Sequence, residues 1–301
     1  MNAATSELLT RRVGELRNLP AMPAVLRSLG ECLSQDPSSV NIDKVVDLIS
    51  YDKSLAGQCL RMANSALFQR KANIESIHEA VVALGIRNVR DLVYSVSLPK
   101  LFAGTKHGMA PITFWRHALG TALISQHFAY RLGIKPQEKF YLAGLLHDIG
   151  MLVNALLFPK EFGEILETAK ESETPICEVE QRVLGFTHCE SGRILADVWN
   201  LPPDVSTVIE YHHQPPATGE YAEVVAVVNL ADLLCRLRGL GYGYYEAREF
   251  DLSSEPSWAL LGAKYPTAQR LDMARFTFEL DGFTVEVEAL VDSIFSTERA
   301  T

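Results

Sequence analysis

The chain has 301 residues, 48% of them hydrophobic, enough to bury a sizeable core as one large or two smaller domains, and this excludes wholesale disorder. Its formal net charge of -9, from 37 acidic against 28 basic residues with no Lys/Arg block, argues against a nucleic-acid or anionic-membrane surface. The N-terminal stretch lacks the basic start, apolar middle and small-residue cleavage site of a signal peptide, and no uninterrupted apolar run approaches the roughly 18 residues of a membrane helix. The expectation is a cytoplasmic protein. Cys32, Cys59, Cys177, Cys189 and Cys235 have wide spacings and no CxxC pair, so they read as small core residues rather than a disulfide framework or zinc ribbon.

Helical periodicity runs through most of the chain, and the fold class it predicts is all-α. After Asn41, a cap, Ile42, Val45, Val46 and Ile49 share one helical face; Leu55, Cys59 and Met62 repeat the pattern. Ser76 and Glu79 form a capping box before Ala80, Val81 and Leu84, with Gly85 as the stop. A short helix fits Val89 to Val96. The glycines and proline between Gly104 and Pro111 mark a boundary, which divides the chain into an N-terminal helical lobe (1-108), a second helical lobe (109-240) and a C-terminal loop and helical extension packed on the core (241-301).

In the second lobe, Thr113 caps a helix reaching Leu132, with Gly133 as its stop, and a further helix ends in the run Leu145 to Gly150. Thr187 and Glu190 make another capping box. Asp204 precedes the face Val205, Val208, Ile209 and His212, which Pro215 and Pro216 close off. Val224 to Leu237 is rich in valine, yet its length and alanines favour a buried helix over a strand. Beyond Gly239 the chain becomes loop-like and aromatic at Tyr242, Tyr244 and Tyr245, then helical again from Leu271 to Phe295.

Of the eight histidines, five, His117, His147, His188, His212 and His213, stand out as candidate ligands in the second lobe. Imidazole with carboxylate suits borderline divalent ions, chiefly iron, manganese, zinc, cobalt or nickel. Asp148 follows an apolar stretch and Asp232 sits among Val227, Val228, Leu230, Leu233 and Leu234, so both carboxylates are expected to be buried. Burying a carboxylate is costly unless it is paired or metal-bound. With no Lys or Arg read in the immediate neighbourhood of either aspartate, a metal ion is the economical partner. Adjacent helical residues diverge by about 100°, so His147 with Asp148, and His212 with His213, can bracket an ion beside their helices. Ala143 and Gly144 would let a neighbouring helix, that of His117, approach closely. Against this, a lone histidine such as His117 is more often a satisfied core or surface residue, His188 can bond a loop carbonyl, and the His212 and His213 pair suits a polar helix end. The metal assignment replaces several independent explanations with one.

The string HDIG at His147 to Gly150, with upstream His117 and downstream Asp232, resembles the H…HD…D pattern of the HD superfamily of metal-dependent phosphohydrolases. His188, His212 and His213 resemble the larger ligand set of its HD-GYP branch. The resemblance implies one or two divalent transition-metal ions, iron or manganese first and zinc or nickel as alternatives. His117, His147, Asp148 and Asp232 would hold one ion, and Asp148 would bridge to a second held by His188, His212 and His213. LPAMPAVLRSL from Leu19, YDKSLAGQCLRMANSALF from Tyr51 and SIHEAVVALG from Ser76 look like the HDOD domain, a bacterial signalling relative, over roughly Leu19 to Cys235.

HD-GYP phosphodiesterases usually follow HDIG with a lysine that helps position phosphate; here Met151 stands instead, and the GYP stretch around cyclic di-GMP is absent. Lys139 or Arg116 is a candidate replacement. The resemblance therefore implies first a signalling module with a protein partner and a nucleotide ligand, its surface including the NSALF motif from Asn64 and the aromatics near Tyr242. A metal-dependent phosphohydrolase acting on a nucleotide or cyclic dinucleotide is second, and an oxygen-using di-iron enzyme third.

Overall fold

The computed structural model describes residues 21–33, 40–65, 73–102, 110–216, 218–242 and 254–296. Among them every regular element is helical, as the periodicity predicts. They group into two compact units, one within Gly104–Leu280, the other within Ala21–Ala103 and Asp281–Thr301.

The second of these units contains α1 (Ala24–Leu33), α2 (Ile42–Ser50), α3 (Lys53–Ala63), α4 (Ile77–Leu84) and α5 (Ile86–Leu101). Side chains cap the inner helices: Asn41 accepts from the Lys44 N–H, Asp52 from Leu55 and Ser76 from Glu79. The Glu79 carboxylate reaches back to the Glu75 N–H rather than that of Ser76, one residue beyond the simple box. Leu26, Leu29, Val45, Ile49, Val89 and Leu92 form the buried core. Ile42, expected on the same face, is exposed. Asn64, the first residue of the NSALF motif, clamps the backbone of Ile74 from both sides and also donates to the Leu60 carbonyl. Its role is to hold a loop against the end of α3. Ala66 to Phe68 lie outside the described residues, as do Tyr244, Tyr245 and most of the boundary segment from Gly104.

The larger unit is built from α6 (Pro111–Leu132), α7 (Glu138–Leu146), α8 (Ile149–Leu157), α9 (Pro159–Glu171), α10 (Ile176–Val183), α11 (His188–Val198), α12 (Pro203–Tyr211), α13 (Ala222–Leu237) and α14 (Pro256–Lys264). The last helix, α15 (Met273–Ser296), has its residues up to Leu280 in this unit. It begins close to the expected position, whereas α14 lies in a stretch the periodicity left as loop. α6 starts at Pro111 and not after Thr113, because proline suits the first helical turn; Gly133 ends it at φ +75.

α6, α7 and α13 pack together around the core, and α8 packs on α11. Gly144 of α7 makes the approach to α6 possible: a Cβ there would lie 2.9 Å from the Ala122 Cα and the Thr121 carbonyl oxygen. The valines of α13 are accommodated in a helix that is buried on all sides, where packing outweighs a modest β propensity. The stretch Lys139–Leu157 has the length and mean hydropathy, 1.5, of a membrane span, but 89% of it is buried inside the protein and the chain turns in its middle, at His147 and Asp148. The expected end of a helix in the HDIG run is thus an interruption, after which α8 starts at Ile149.

Candidate metal centre

The turn between α7 and α8 carries the central carboxylate. Asp148 occupies the N-cap position of α8, yet its side chain makes no capping bond and instead meets the histidines. His147 Nε2 lies 3.1 Å and His117 Nε2 3.7 Å from Asp148 Oδ2, while His212 Nε2 and His188 Nε2 lie 3.0 and 3.2 Å from Oδ1. The carboxylate therefore offers one oxygen to α6 and the α7 end, and the other to the start of α11 and the end of α12. His213 Nε2 sits 3.1 Å from His188 Nε2. Asp232, from α13, reaches His117 Nε2 at 3.0 Å and His147 Nε2 at 3.8 Å. All seven sequence-selected residues thus converge, and all but the half-buried His213 are inaccessible to solvent.

The outer nitrogens of four histidines are spoken for. His117 Nδ1 donates to the Leu240 carbonyl at 2.8 Å and His147 Nδ1 to the Gly144 carbonyl at 2.7 Å. His188 Nδ1 donates to Glu180 Oε2 at 2.7 Å, and His212 Nδ1 faces the Val208 and Ile209 carbonyls at 3.2 and 3.1 Å. A carbonyl or carboxylate oxygen can only accept, so each Nδ1 carries a proton and a neutral ring presents its Nε2 lone pair inward. His117 Nε2, His147 Nε2 and Asp148 Oδ1 are buried without a hydrogen bond of acceptable geometry. Inward lone pairs and a carboxylate oxygen, Oδ1, with no donor well aligned to it are what a divalent cation satisfies, and anchoring each ring by its far nitrogen is how proteins orient histidine ligands. The donor set therefore fits a metal ion.

Electrostatics agree. Burial pushes the Asp148 carboxyl up, but the surrounding histidines, His147 foremost, hold it well below the usual range. Burial lowers His117 and His213, the latter further because His212 is beside it. At His188 burial is outweighed chiefly by Glu180, which raises the ring well above the ordinary value; His212 is likewise raised, to about 10, by Cys189 and Asp148 against the effect of burial.

Asp232 departs from expectation. Arg236, one helical turn along α13, grips both of its oxygens, with Nε 2.7 Å from Oδ1. The cation that the immediate neighbourhood was read to lack is present at i+4, and it holds the buried carboxyl far below its usual value. Three groups of convergent ligand atoms occur among the described residues: His117, His147 and Asp148; Asp148, His188, His212 and His213; and Cys177, His188, Cys189 and His213. Asp232 belongs to none of them.

Several contributors escaped the pattern of histidines. Glu180 is fully buried in α10, accepts from both the His188 N–H and its ring, and is itself held by Asn154. A signal existed, since Ile176, Val179 and Glu180 share one helical face and the first two are apolar. Tyr242 donates its hydroxyl to Asp148 Oδ2 at 2.7 Å and lies against the His117 ring, 4.4 Å between centroids. Asn229 holds the His212 carbonyl at 2.7 Å and is in turn held by Ser257 of α14. Met151 is fully buried and uncharged, and Lys139 pairs with Glu223.

A family model for the HDOD domain matches residues 19–215. The chain belongs to the HDOD family. An HDOD domain protein of unknown function from Geobacter sulfurreducens is 31% identical, with a TM-score of 0.82 over 96% of this chain and 99% of that one. A candidate signal transduction protein from Marinobacter aquaeolei VT8 shares the fold at 23% identity and a TM-score of 0.74, over 97% of this chain and 66% of its own. An uncharacterized protein of Treponema pallidum (strain Nichols) is 28% identical over 234 residues, 77% of this chain. The chain spans 45% of that relative's length.

Proposed function

We propose that this HDOD protein is a signal-transduction module whose buried centre holds one or two divalent transition-metal ions, iron or manganese in preference to zinc or nickel. The reading is carried by one observation: four histidines, each tied by Nδ1 to the protein, turn Nε2 toward the two oxygens of Asp148. The division of Asp148 between two sets supports a bridging role, with His117 and His147 on one side and His188, His212 and His213 on the other. An ion there would supply Lewis acidity and, with an open position, an activated water. What the chain itself supplies favours signalling over turnover. Tyr242 takes one face of Asp148, Arg236 engages Asp232, and the position after HDIG is an enclosed methionine. The module would act in a reducing, cytoplasmic setting, consistent with the thiols of Cys177 and Cys189 standing unbridged side by side. Its output would pass to a protein partner, with a nucleotide as candidate input and neither nucleic acid nor membrane as a ligand.

Phosphohydrolysis is the second reading, favoured by the same divided carboxylate. Elemental analysis of protein purified without added metal, followed by phosphodiesterase assays with manganese and with anaerobic ferrous iron, separates the two. Bound metal without turnover supports signalling, and turnover abolished by Asp148→Ala supports the enzyme. Absence of metal, with unchanged thermal stability in His147→Ala and Asp148→Ala, overturns the centre itself.

A further inference from the structure

Cysteine played no part in the expected ligand set, yet the fold brings two thiols to the edge of the centre. Cys177 is the second residue of α10 and Cys189 the second of α11. Both therefore sit in the first turn of a helix. The Sγ atoms and one ring nitrogen each from His188 and His213 lie within 4.8 Å of one another. Cys177 is half-buried and, with His213, lines a cavity of about 340 Å³ that also borders Asn229, Asp232 and Arg236, so the group has an entry path from solvent.

We propose that Cys177, His188, Cys189 and His213 form a thiolate site that binds zinc or a comparably soft divalent ion. Two sulfurs and two imidazoles are a donor set that selects zinc over iron, manganese or magnesium, which favour nitrogen and oxygen. With Zn–S of about 2.3 Å and Zn–N of about 2.1 Å, donors around a tetrahedral ion stand roughly 3.4 to 3.8 Å apart. The observed group needs to contract by on the order of 1 Å, within the reach of side-chain rotation. On binding, two S–H bonds give way to two Zn–S bonds and both protons pass to solvent.

The site competes with the Asp148 centre. Glu180 holds His188 Nδ1, leaving Nε2 as the nitrogen either donor set can use, and His213 is common to both. A soft ion on the thiols therefore displaces an ion from the Asp148, His188, His212 and His213 set. This exclusion, though not the thiolate site, rests on the proposed Asp148 centre.

Cobalt(II) titration of the reduced, metal-free full chain tests the site directly. Thiolate-to-cobalt charge-transfer absorption is expected in the wild type, retained in His117→Ala, and abolished in Cys177→Ser and in Cys189→Ser. Zinc affinity, read by competition with a chromophoric chelator, should fall at least about 100-fold on losing either sulfur, the upper end of what loss of an outer partner costs. Zinc should also suppress uptake of manganese by about one equivalent, and cysteine substitution should remove that suppression. A wild type that binds cobalt with no charge-transfer band overturns the thiolate site while leaving the Asp148 centre standing. A band that persists in His117→Ala and Asp148→Asn when manganese is no longer bound leaves the thiolate site standing alone. Thermal melts of the metal-free cysteine variants, expected within a few degrees of wild type, identify loss of folding; the wild-type spectrum decides the question even where a variant fails that control.

Discussion

Gly150 and His188 approach so closely that a Cβ at position 150 would lie 1.8 Å from the His188 carbonyl oxygen. The contact is the crossing of α8 and α11, where Gly150 also faces Gly192. The glycine of HDIG is thus fixed by packing, and it sets how close the Asp148 turn comes to the first residue of α11. Gly150→Ala must separate the two helices. Overpacking typically costs about 1–3 kcal/mol, and a clash with rigid backbone belongs at or above the top of that range. The expected result is a clear fall in the thermal midpoint of metal-free protein together with weaker manganese binding; a wild-type melt would mean that the crossing relaxes freely.

Glu180 acts on the centre only through His188. Glu180→Ala leaves the His188 ring unanchored and its N–H without the carboxylate that accepts it, at about 1–3 kcal/mol for the buried groups. Metal affinity should drop about 10- to 100-fold, as for other outer partners of histidine ligands. Glu180→Gln retains an oxygen that accepts from Nδ1 and should recover most of that affinity. Isothermal titration with manganese distinguishes the two, and equal losses in both would assign the effect to charge rather than orientation.

The all-helical fold and the seven converging residues were legible because apolar periodicity and clustered histidines are local patterns. Arg236 was equally local, at i+4 from Asp232, and needed only the helical offset to be applied to the carboxylate's own helix. The thiols were different: eleven residues of chain separate Cys177 from Cys189, and only the packing of α10 beside the start of α11 makes them neighbours. Tyr242 was read as an exposed aromatic, since nothing in a loop sequence shows that its hydroxyl returns to a buried aspartate.

Acid sensitivity should be traceable to Glu223. Burial raises its carboxyl, but Lys264, Tyr265 and Lys139 outweigh that and lower it from the ordinary 4.5. A depressed folded value means that the stabilisation is present above about 4.5 and is lost as pH falls from there through the folded value. Glu223→Gln removes this dependence. Urea midpoints measured from pH 6 to pH 3 (roughly the span over which carboxylates of this kind titrate) should fall less steeply in the variant than in the wild type. Parallel slopes would exclude Glu223 as a source of acid sensitivity.

Arg236 is the permanent counter-charge of Asp232, and a divalent ion beside His117 would be a second one. Removing one partner of a buried pair costs about 3–5 kcal/mol, reduced here because the Arg236 side chain is 14% exposed. Arg236→Met keeps the volume and removes the charge, so metal-free protein should lose on the order of 2–3 kcal/mol by chemical denaturation. With manganese present, Asp232 is released to face the ion together with His117, His147 and Asp148, and part of that loss should be recovered. A larger manganese-induced shift in the variant than in the wild type would mean that the arginine and the metal compete for the same carboxylate. Equal shifts would confine Asp232 to its ion pair and leave the centre with six protein ligands, namely His117, His147, Asp148, His188, His212 and His213.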